Sequence, residues 1–333
     1  MEIHSLPRFP LATLPTPLDE LPRLSQALGV RVLMKRDDLT GFALGGNKAR
    51  KLEFLIADAL EHNADIVVTG GGVQSNHIRT TAAAARKAGL DAVGVFFSSP
   101  PGEVNGNLLL DEILGAQLIY ANADKNETER AIEKVCADLR AQGRRPYLIP
   151  VGGSTKLGCV AYMLAVEELQ AQLRAQNVQA DAMVITTGSC GTHAGILAGV
   201  KYFGMNVPVH GVTVSRPVDE CRARVARLVR ETAQFIEHAL PLADADIIVH
   251  GEYMGEAYAK ITPEARAAIY KLARLEGVFL DPVYTAKTMA GMMDLVGRGV
   301  FKSNATIVFW HTGGTPGLFG FPNDVLEKQE RDV

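Results

Sequence analysis

The chain has 333 residues, 47% of them hydrophobic, and a formal net charge of −3. That length allows one large or two medium domains, and the hydrophobic fraction suffices for a full core. Acidic and basic residues are mixed along the sequence, which excludes a nucleic-acid footprint or a basic membrane-surface patch, and no apolar run approaches the ~20 residues of a membrane span.

In chain order, Met1 to Pro10 lack a hydrophobic signal core, so a cytoplasmic location is expected. A strand is predicted over 32–35. The run Gly45-Gly46-Asn47-Lys48 follows, a glycine turn at the start of an amphipathic helix over 49–62. A lysine there sits near the positive end of the helix dipole, which disfavours its ammonium form. A neutral amine is the nucleophile that forms a Schiff base with an aldehyde cofactor. A solvated lysine in a basic helix start is the other reading, since Arg50 and Lys51 follow.

A strand over 66–69 runs into Gly70-Gly71-Gly72-Val73-Gln74-Ser75-Asn76-His77, followed by a helix over 80–87. Ser75, Asn76 and His77 at a helix start suit a substrate carboxylate. A simple helix cap would account for Ser75 or Asn76 alone. Strands over 92–97 and 117–120, a helix over 127–142, a strand over 147–150 and a helix over 157–175 come next.

The strand over 182–186 exits into Gly188-Ser189-Cys190-Gly191-Thr192 and a small-residue helix over 194–203. Glycines let successive N–H groups curl around an anion, and Ser189 and Thr192 add hydroxyls, so a phosphate is the natural guest. The spacing is neither GxGxxG nor GxxxxGK[ST]. Ser215-Arg216, after the strand over 209–214, keeps a 2′-phosphate of NADP as a rival guest. A helix over 263–275 precedes Leu280-Asp281-Pro282-Val283-Tyr284-Thr285, where Tyr284 stands just ahead of another helix. Phenols there can stack on a cofactor ring or move protons. The strand over 306–310 exits into His311-Thr312-Gly313-Gly314.

Alternating strands and helices imply right-handed βαβ crossovers and mostly parallel sheet. The chain is too long for one doubly wound unit, so two α/β lobes with a cleft between them are expected. Ligands in such folds bind beyond the carboxyl ends of the strands, where the polar motifs cluster. The cysteines Cys136, Cys159, Cys190 and Cys221 form no CxxC pair, which suits reduced thiols in a cytosolic protein. The eight histidines show no metal-ligand spacing, so no metal is expected. A Schiff-base lysine, a phosphate cradle, a carboxylate site and ring-facing hydroxyls are together the parts of a pyridoxal-phosphate enzyme.

These motifs, with Arg8-Phe9-Pro10, Pro15-Thr16-Pro17-Leu18 and Lys35-Arg36-Asp37-Asp38 ahead of them, stand in the order found in one family. The chain resembles the D-cysteine desulfhydrase and 1-aminocyclopropane-1-carboxylate deaminase family, which belongs to the tryptophan-synthase-β-like (fold type II) pyridoxal 5′-phosphate enzymes. The resemblance implies an α/β fold of two open, mostly parallel twisted-sheet domains with the active site in the cleft between them. A larger cofactor-binding domain would comprise residues 1–47 and 162–333, and a smaller one residues 48–161. It implies that Lys48 carries the cofactor and is the base for the α-proton. Asn76 would hold the cofactor's phenolic oxygen, and Gly188, Ser189, Cys190, Gly191 and Thr192 its phosphate. Ser75, Asn76 and His77 would bind the substrate carboxylate, with Ser75 and Tyr284 also taking part in catalysis. Tyr284 would lie against the ring and Tyr258 would reach the substrate from the other side. A homodimer and a small amino-acid substrate are implied as well. Cys190 departs from the small residue usual at its position, and a thiol beside the phosphate suggests sensitivity to oxidation.

The reaction is read from two positions. The cyclopropane deaminases carry Glu directly after the motif tyrosine and Leu in place of Thr312, where this chain has Thr285 and Thr312. A carboxylate at the pyridine nitrogen favours a protonated, strongly electron-withdrawing ring. Threonine hydroxyls stabilise that cation far less. Opening an unactivated cyclopropane needs the stronger electron sink, whereas expelling a good leaving group from Cβ needs less. The expected reaction is β-elimination from D-cysteine to pyruvate, hydrogen sulfide and ammonia. L-Cysteate sulfo-lyase, which expels sulfite, is the runner-up. Survival of the fold as a non-catalytic binding protein is the alternative from another class, which the presence of Lys48 opposes.

Overall fold

Parallel strands covered on both faces need continuous apolar runs rather than alternation. The central strands have them: Ile66–Gly71, Ala182–Thr187 and Thr306–His311 are buried at every position. The computed structural model describes residues 2–122 and 127–326. Its strands are β1 (Leu18–Glu20), β2 (Arg31–Arg36), β3 (Ile66–Gly71), β4 (Asp91–Phe96), β5 (Gln117–Tyr120), β6 (Pro146–Leu148), β7 (Ala182–Thr187), β8 (Val209–Thr213), β9 (Ile248–His250) and β10 (Thr306–His311). They form a six-stranded sheet in the order β1-β2-β10-β7-β8-β9 and a four-stranded sheet in the order β5-β4-β3-β6. Every described pairing is parallel except β1 with β2.

The helices are α1 (Pro22–Leu28), α2 (Lys48–Glu61), α3 (Asn76–Lys87), α4 (Gly106–Ile113), α5 (Thr128–Ala141), α6 (Lys156–Ala175), α7 (Gly191–Tyr202), α8 (Val218–Phe235), α9 (Pro263–Glu276), α10 (Thr285–Gly297) and α11 (Pro322–Val325). Each expected strand and helix forms, with ends shifted by up to four residues. Thr80 is not the start of α3, which begins at Asn76. The strands β1 and β9 were not expected; each has three residues, too few to show a period. The helices α1, α4, α11 and α8 were not expected either. The last is charge-rich, and its buried face of Cys221, Val225, Leu228, Val229 and Thr232 is diluted by arginines and acids.

A buried polar cluster fastens the start of α2 to the six-stranded sheet. Asp37, at the end of β2, is fully buried, and its Oδ1 accepts from Arg50 Nε at 3.0 Å, Arg50 Nη2 at 2.9 Å and Thr16 Oγ1 at 3.0 Å. Its Oδ2 accepts from Tyr162 at 2.6 Å and from Trp310 Nε1 at 2.9 Å. Glu168 of α6 takes Arg50 Nη1 at 3.0 Å and pairs with Lys35. Burial alone would push the Asp37 carboxyl up, but Arg50 beside it and the Tyr162, Arg50 and Trp310 bonds hold it below its ordinary range.

A buried pair broken from one side leaves an uncompensated charge, which costs about 3–5 kcal/mol. Asp37→Ala is therefore expected to lower unfolding free energy by about 3 kcal/mol or more in urea titration. Because the folded carboxyl lies below its unfolded value, its contribution is present above the ordinary carboxylate range. It is lost as pH falls through the folded value. The gap between wild type and Asp37→Ala should thus close on acidification.

Candidate active site

The carboxyl ends of β3, β7 and β10 open onto one cleft of about 940 Å³ between the two sheets. Its lining brings together Lys48, Ser75, Asn76, His77, Gly188, Ser189, Cys190, Thr192, Tyr258, Tyr284 and Thr312. Gly191 lies just behind the surface, and Thr285 is buried outside the lining.

Lys48 is the first residue of α2 and reaches the cleft from a strained turn. Ala43, Leu44, Gly45 and Gly46 all have left-handed φ, of 46°, 65°, 73° and 114°. A Cβ on Gly45 would stand 1.9 Å from the Asp38 carbonyl oxygen, so only glycine fits there. The turn is tied to both neighbouring strands: Gly46 N–H donates to Asp37 O and Asn47 N–H to Thr312 O, each at 3.0 Å. Lys48 Nζ donates to Asn47 Oδ1 at 2.9 Å, and Asn47 Nδ2 donates to Thr192 Oγ1 at 3.1 Å. The amine opens on the cleft but is walled by protein. That burial, with the charges of Lys51 and Arg79, holds it well below the ordinary lysine value, against a smaller pull from Asp281.

The α7 N-terminus forms the opposite wall. Cys190 caps it at φ 72°, and Gly191 N–H donates to Ser154 Oγ at 3.2 Å. A Cβ on Gly191 would lie 2.8 Å from Ser154 Cα, so this loop and Ser154 touch backbone to backbone. Ser189 and Thr192 offer hydroxyls to an anion at a positive helix end. Lys51, one turn after Lys48, is fully buried and donates to Gly152 O at 3.1 Å. Burial brings its amine down to about 8. It supplies a cation behind the same loop. The Cys190 thiol is pushed up by its hydrogen bond with Cys221 and by burial. Cys190 lines the cleft while itself almost wholly buried. Arg216 lines the cleft, but its guanidinium pairs with Glu220, which leaves it poorly placed for the 2′-phosphate of NADP.

On α3, Ser75 is indeed the cap, accepting from the N–H groups of His77 and Ile78 at 3.2 and 3.3 Å. Its O–H still faces the cleft as a donor. Asn76 Oδ1 accepts from Asn107 Nδ2 at 2.9 Å, which leaves its own Nδ2 against Gly314. His77 is buried, with Nε2 2.9 Å from Thr69 Oγ1. Burial and the charges of Lys48 and Lys51 hold it well below the ordinary histidine value, so it acts as a neutral ring. Tyr258 and Tyr284 share a short hydroxyl–hydroxyl hydrogen bond. Burial pushes Tyr258 up to about 12 and Tyr284 well above its ordinary value, so both stay phenols.

Thr285 is buried and bonded within its own turn. Its hydroxyl donates to Asp281 Oδ1 at 2.8 Å and accepts from Asp281 N–H at 2.9 Å. Asp281 also accepts from the N–H groups of Val283, Tyr284 and Thr285 at 3.0, 2.9 and 2.8 Å. Thr285 therefore shapes the turn that presents Tyr284. Among the described residues, no Asp or Glu lines the cleft.

Residues 10–313 match the pyridoxal-phosphate dependent enzyme family. The chain belongs to that family. It is 42% identical over 330 residues to a D-cysteine desulfhydrase of Klebsiella pneumoniae (strain 342), covering 96% of this chain and 99% of the relative. It is 43% identical over 331 residues to a D-cysteine desulfhydrase of Salmonella choleraesuis (strain SC-B67), with the same coverage. The solved structure of an ACC deaminase homologue superposes with a TM-score of 0.90 at 37% identity, covering 97% of this chain and 96% of that one. The cleft fits the family's cofactor: an enclosed lysine of depressed pKa, hydroxyls and a buried cation at a helix N-terminus, and a tyrosine beside Gly188.

Three side chains had no role in the sequence reading. Asn47 links the Lys48 amine to the phosphate-type loop, Lys51 backs that loop, and Asp281 builds the tyrosine turn. The Asn47 contact was foreshadowed only by its place beside Lys48. Asn47→Ala removes both bonds, each worth about 1 kcal/mol. Its affinity for pyridoxal phosphate, measured by absorbance titration, is expected to fall about tenfold, with a loss of up to about 2 kcal/mol in unfolding free energy. Gly191→Val forces the loop off Ser154, and equilibrium dialysis of that variant should show binding of pyridoxal phosphate lost.

Proposed function

We propose that this enzyme carries out β-elimination on a small amino acid, most directly D-cysteine, which with water gives pyruvate, hydrogen sulfide and ammonia. The carrying observation is the carboxylate-free lining with one enclosed, readily neutral lysine at its centre. The two desulfhydrase relatives, similar over nearly the whole chain, support the choice of substrate.

Pyridoxal phosphate, when bound through Lys48, supplies an electron sink joined to the substrate α-carbon. Lys48 Nζ, once free, is the base for the α-proton, because the described lining holds no carboxylate and burial with the lysine charges makes the His77 ring a poor proton acceptor. The Ser75 hydroxyl and Asn76 orient the substrate carboxylate at the positive end of α3. Thr192, Ser189, the loop N–H groups and Lys51 hold the phosphate. The phenols of Tyr258 and Tyr284 can donate a proton toward a departing sulfur. Thr312 is the neutral hydroxyl that the lining presents where a carboxylate would strengthen the sink. That weaker sink suits expulsion of a thiolate and disfavours cyclopropane opening. The hydroxyl of Thr285, the other threonine of the pair, is engaged with Asp281.

We also read the protein as a cytoplasmic homodimer with a small domain over residues 48–161. Four buried, unpaired cysteines support a reducing compartment. The exposed Leu39, Leu44, Leu109 and Phe319 around one shallow groove support a protein-covered face.

Purified enzyme offered D-cysteine, L-cysteine, L-cysteate and 1-aminocyclopropane-1-carboxylate should give sulfide and pyruvate fastest from D-cysteine. Faster sulfite release from L-cysteate would move the assignment to the sulfo-lyase. Faster 2-oxobutyrate formation would refute the Thr312 argument. A preparation that binds no pyridoxal phosphate would sink the enzyme reading. Lys48→Ala should lower turnover by at least about a hundredfold.

A further inference from the structure

Arg79 stands three residues beyond Asn76 on α3 and is 1% exposed. Its Nη1 donates to the Ala43 carbonyl and its Nη2 to the Gly45 carbonyl at 3.3 Å. These carbonyls belong to the turn of successive left-handed residues that presents Lys48. Ala43 and Leu44 are not glycine, so that turn persists only where its surroundings over-determine it. Arg79 Nε is buried without a hydrogen-bond partner, and no ion pair of Arg79 occurs among the described residues. The acid whose charge acts on it is Asp111 of α4, which is fully buried with both carboxyl oxygens unpartnered. Burial pushes the Asp111 carboxyl up to about 8, with Arg79 only partly opposing it.

A neutral amide could solvate one loop carbonyl. Reaching two carbonyls across the turn calls for the rigid fork of a guanidinium. A buried cation left without its counter-ion is costly, and its field falls on Lys48, together with that of Lys51 from α2 and against that of Asp281 from the turn before α10. His77, also facing the amine, is neutral.

We propose that Arg79 is a positioning residue for Lys48: its fork clamps the Ala43 and Gly45 carbonyls so that the strained turn aims the amine into the cleft, and its charge disfavours a second cation there. The proposal rests on Lys48 being the amine that carries the cofactor.

Two variants separate charge from reach. Arg79→Met removes the charge and keeps the bulk, while Arg79→Lys keeps the charge and loses the fork. Cofactor-free full-length proteins would be acetylated across a pH series and the modification of Lys48 followed by mass spectrometry. Pyridoxal phosphate affinity would be measured by absorbance titration. In Arg79→Met the labelling midpoint of Lys48 should rise by roughly a few tenths of a pH unit, since burial and Lys51 act on the amine more strongly than Arg79 does. In Arg79→Lys the midpoint should stay near that of wild type while affinity falls about tenfold, for the loss of a charge-assisted bond. A role confined to stability would lower the unfolding temperature and leave the midpoint in place. A folded Arg79→Met with the wild-type midpoint overturns the proposal. Should Arg79→Met fail to fold, Arg79→Lys with wild-type affinity overturns it instead. Borohydride reduction of the wild-type holoenzyme and peptide mapping separate this failure from that of the underlying reading. Cofactor fixed to another residue overturns both, whereas cofactor fixed to Lys48 with an unshifted midpoint overturns the Arg79 assignment alone.

Discussion

The ion pair between Asp37 and Arg50 is the constraint on which the cleft depends. Arg50 lies two residues after Lys48, and its guanidinium is held between Asp37 of the large sheet and Glu168 of α6. Two charges so deep in the protein are tolerable because the described partners, among them Tyr162, Trp310 and Thr16, use the lone pairs of Asp37 in full. With the first turn of α2 fixed, the path of Lys48 is fixed as well. The crossing of the Gly46 backbone over Gly313, where a Cβ on Gly313 would lie 2.5 Å from Gly46 Cα, then brings the lysine turn against the end of β10. One polar cluster thus registers the lysine against Thr312 and, through Asn47, against Thr192.

The electrostatic character of the cleft follows from how helices meet it. Lys48 begins α2, Asn76 begins α3, Gly191 begins α7 and Thr285 begins α10, so several helices point their positive ends inward. Lys51 and Arg79 add buried cations nearby. The described lining contributes no compensating carboxylate, because Asp281 is turned into the N–H groups of its own turn. Such a site attracts anions and disfavours an ammonium. Burial first, and then the Lys51 and Arg79 charges, hold the Lys48 amine well below its ordinary value.

Much of this was legible in the sequence, for identifiable reasons. The strands buried on both faces read as apolar runs, and the glycine-rich exits of β3, β7 and β10 marked the cleft. Lys48, Ser189, Thr192 and Tyr284 were legible as cleft residues because each stands at or beside a turn marked by Gly or Pro. Long-range polar pairing was not legible. The partnership of Asp37 with Trp310 spans both ends of the chain, and no local pattern foretells it. The pairing of the Thr285 hydroxyl with Asp281 was not legible either, because it is set by the capping geometry of α10. The short β1 and β9 carry too few residues for a period, and their pairing is set by the sheet they border.

The central claim is that one enclosed amine, Lys48, moves the substrate α-proton in a cleft without a carboxylate. It is tested most directly by following loss of the α-hydrogen of D-cysteine in deuterium oxide by proton NMR, with wild type and Lys48→Ala each supplied with pyridoxal phosphate. The account predicts rapid loss with wild type and none above the enzyme-free rate with Lys48→Ala. Loss at the wild-type rate in Lys48→Ala would show that another group takes the proton, and would contradict it.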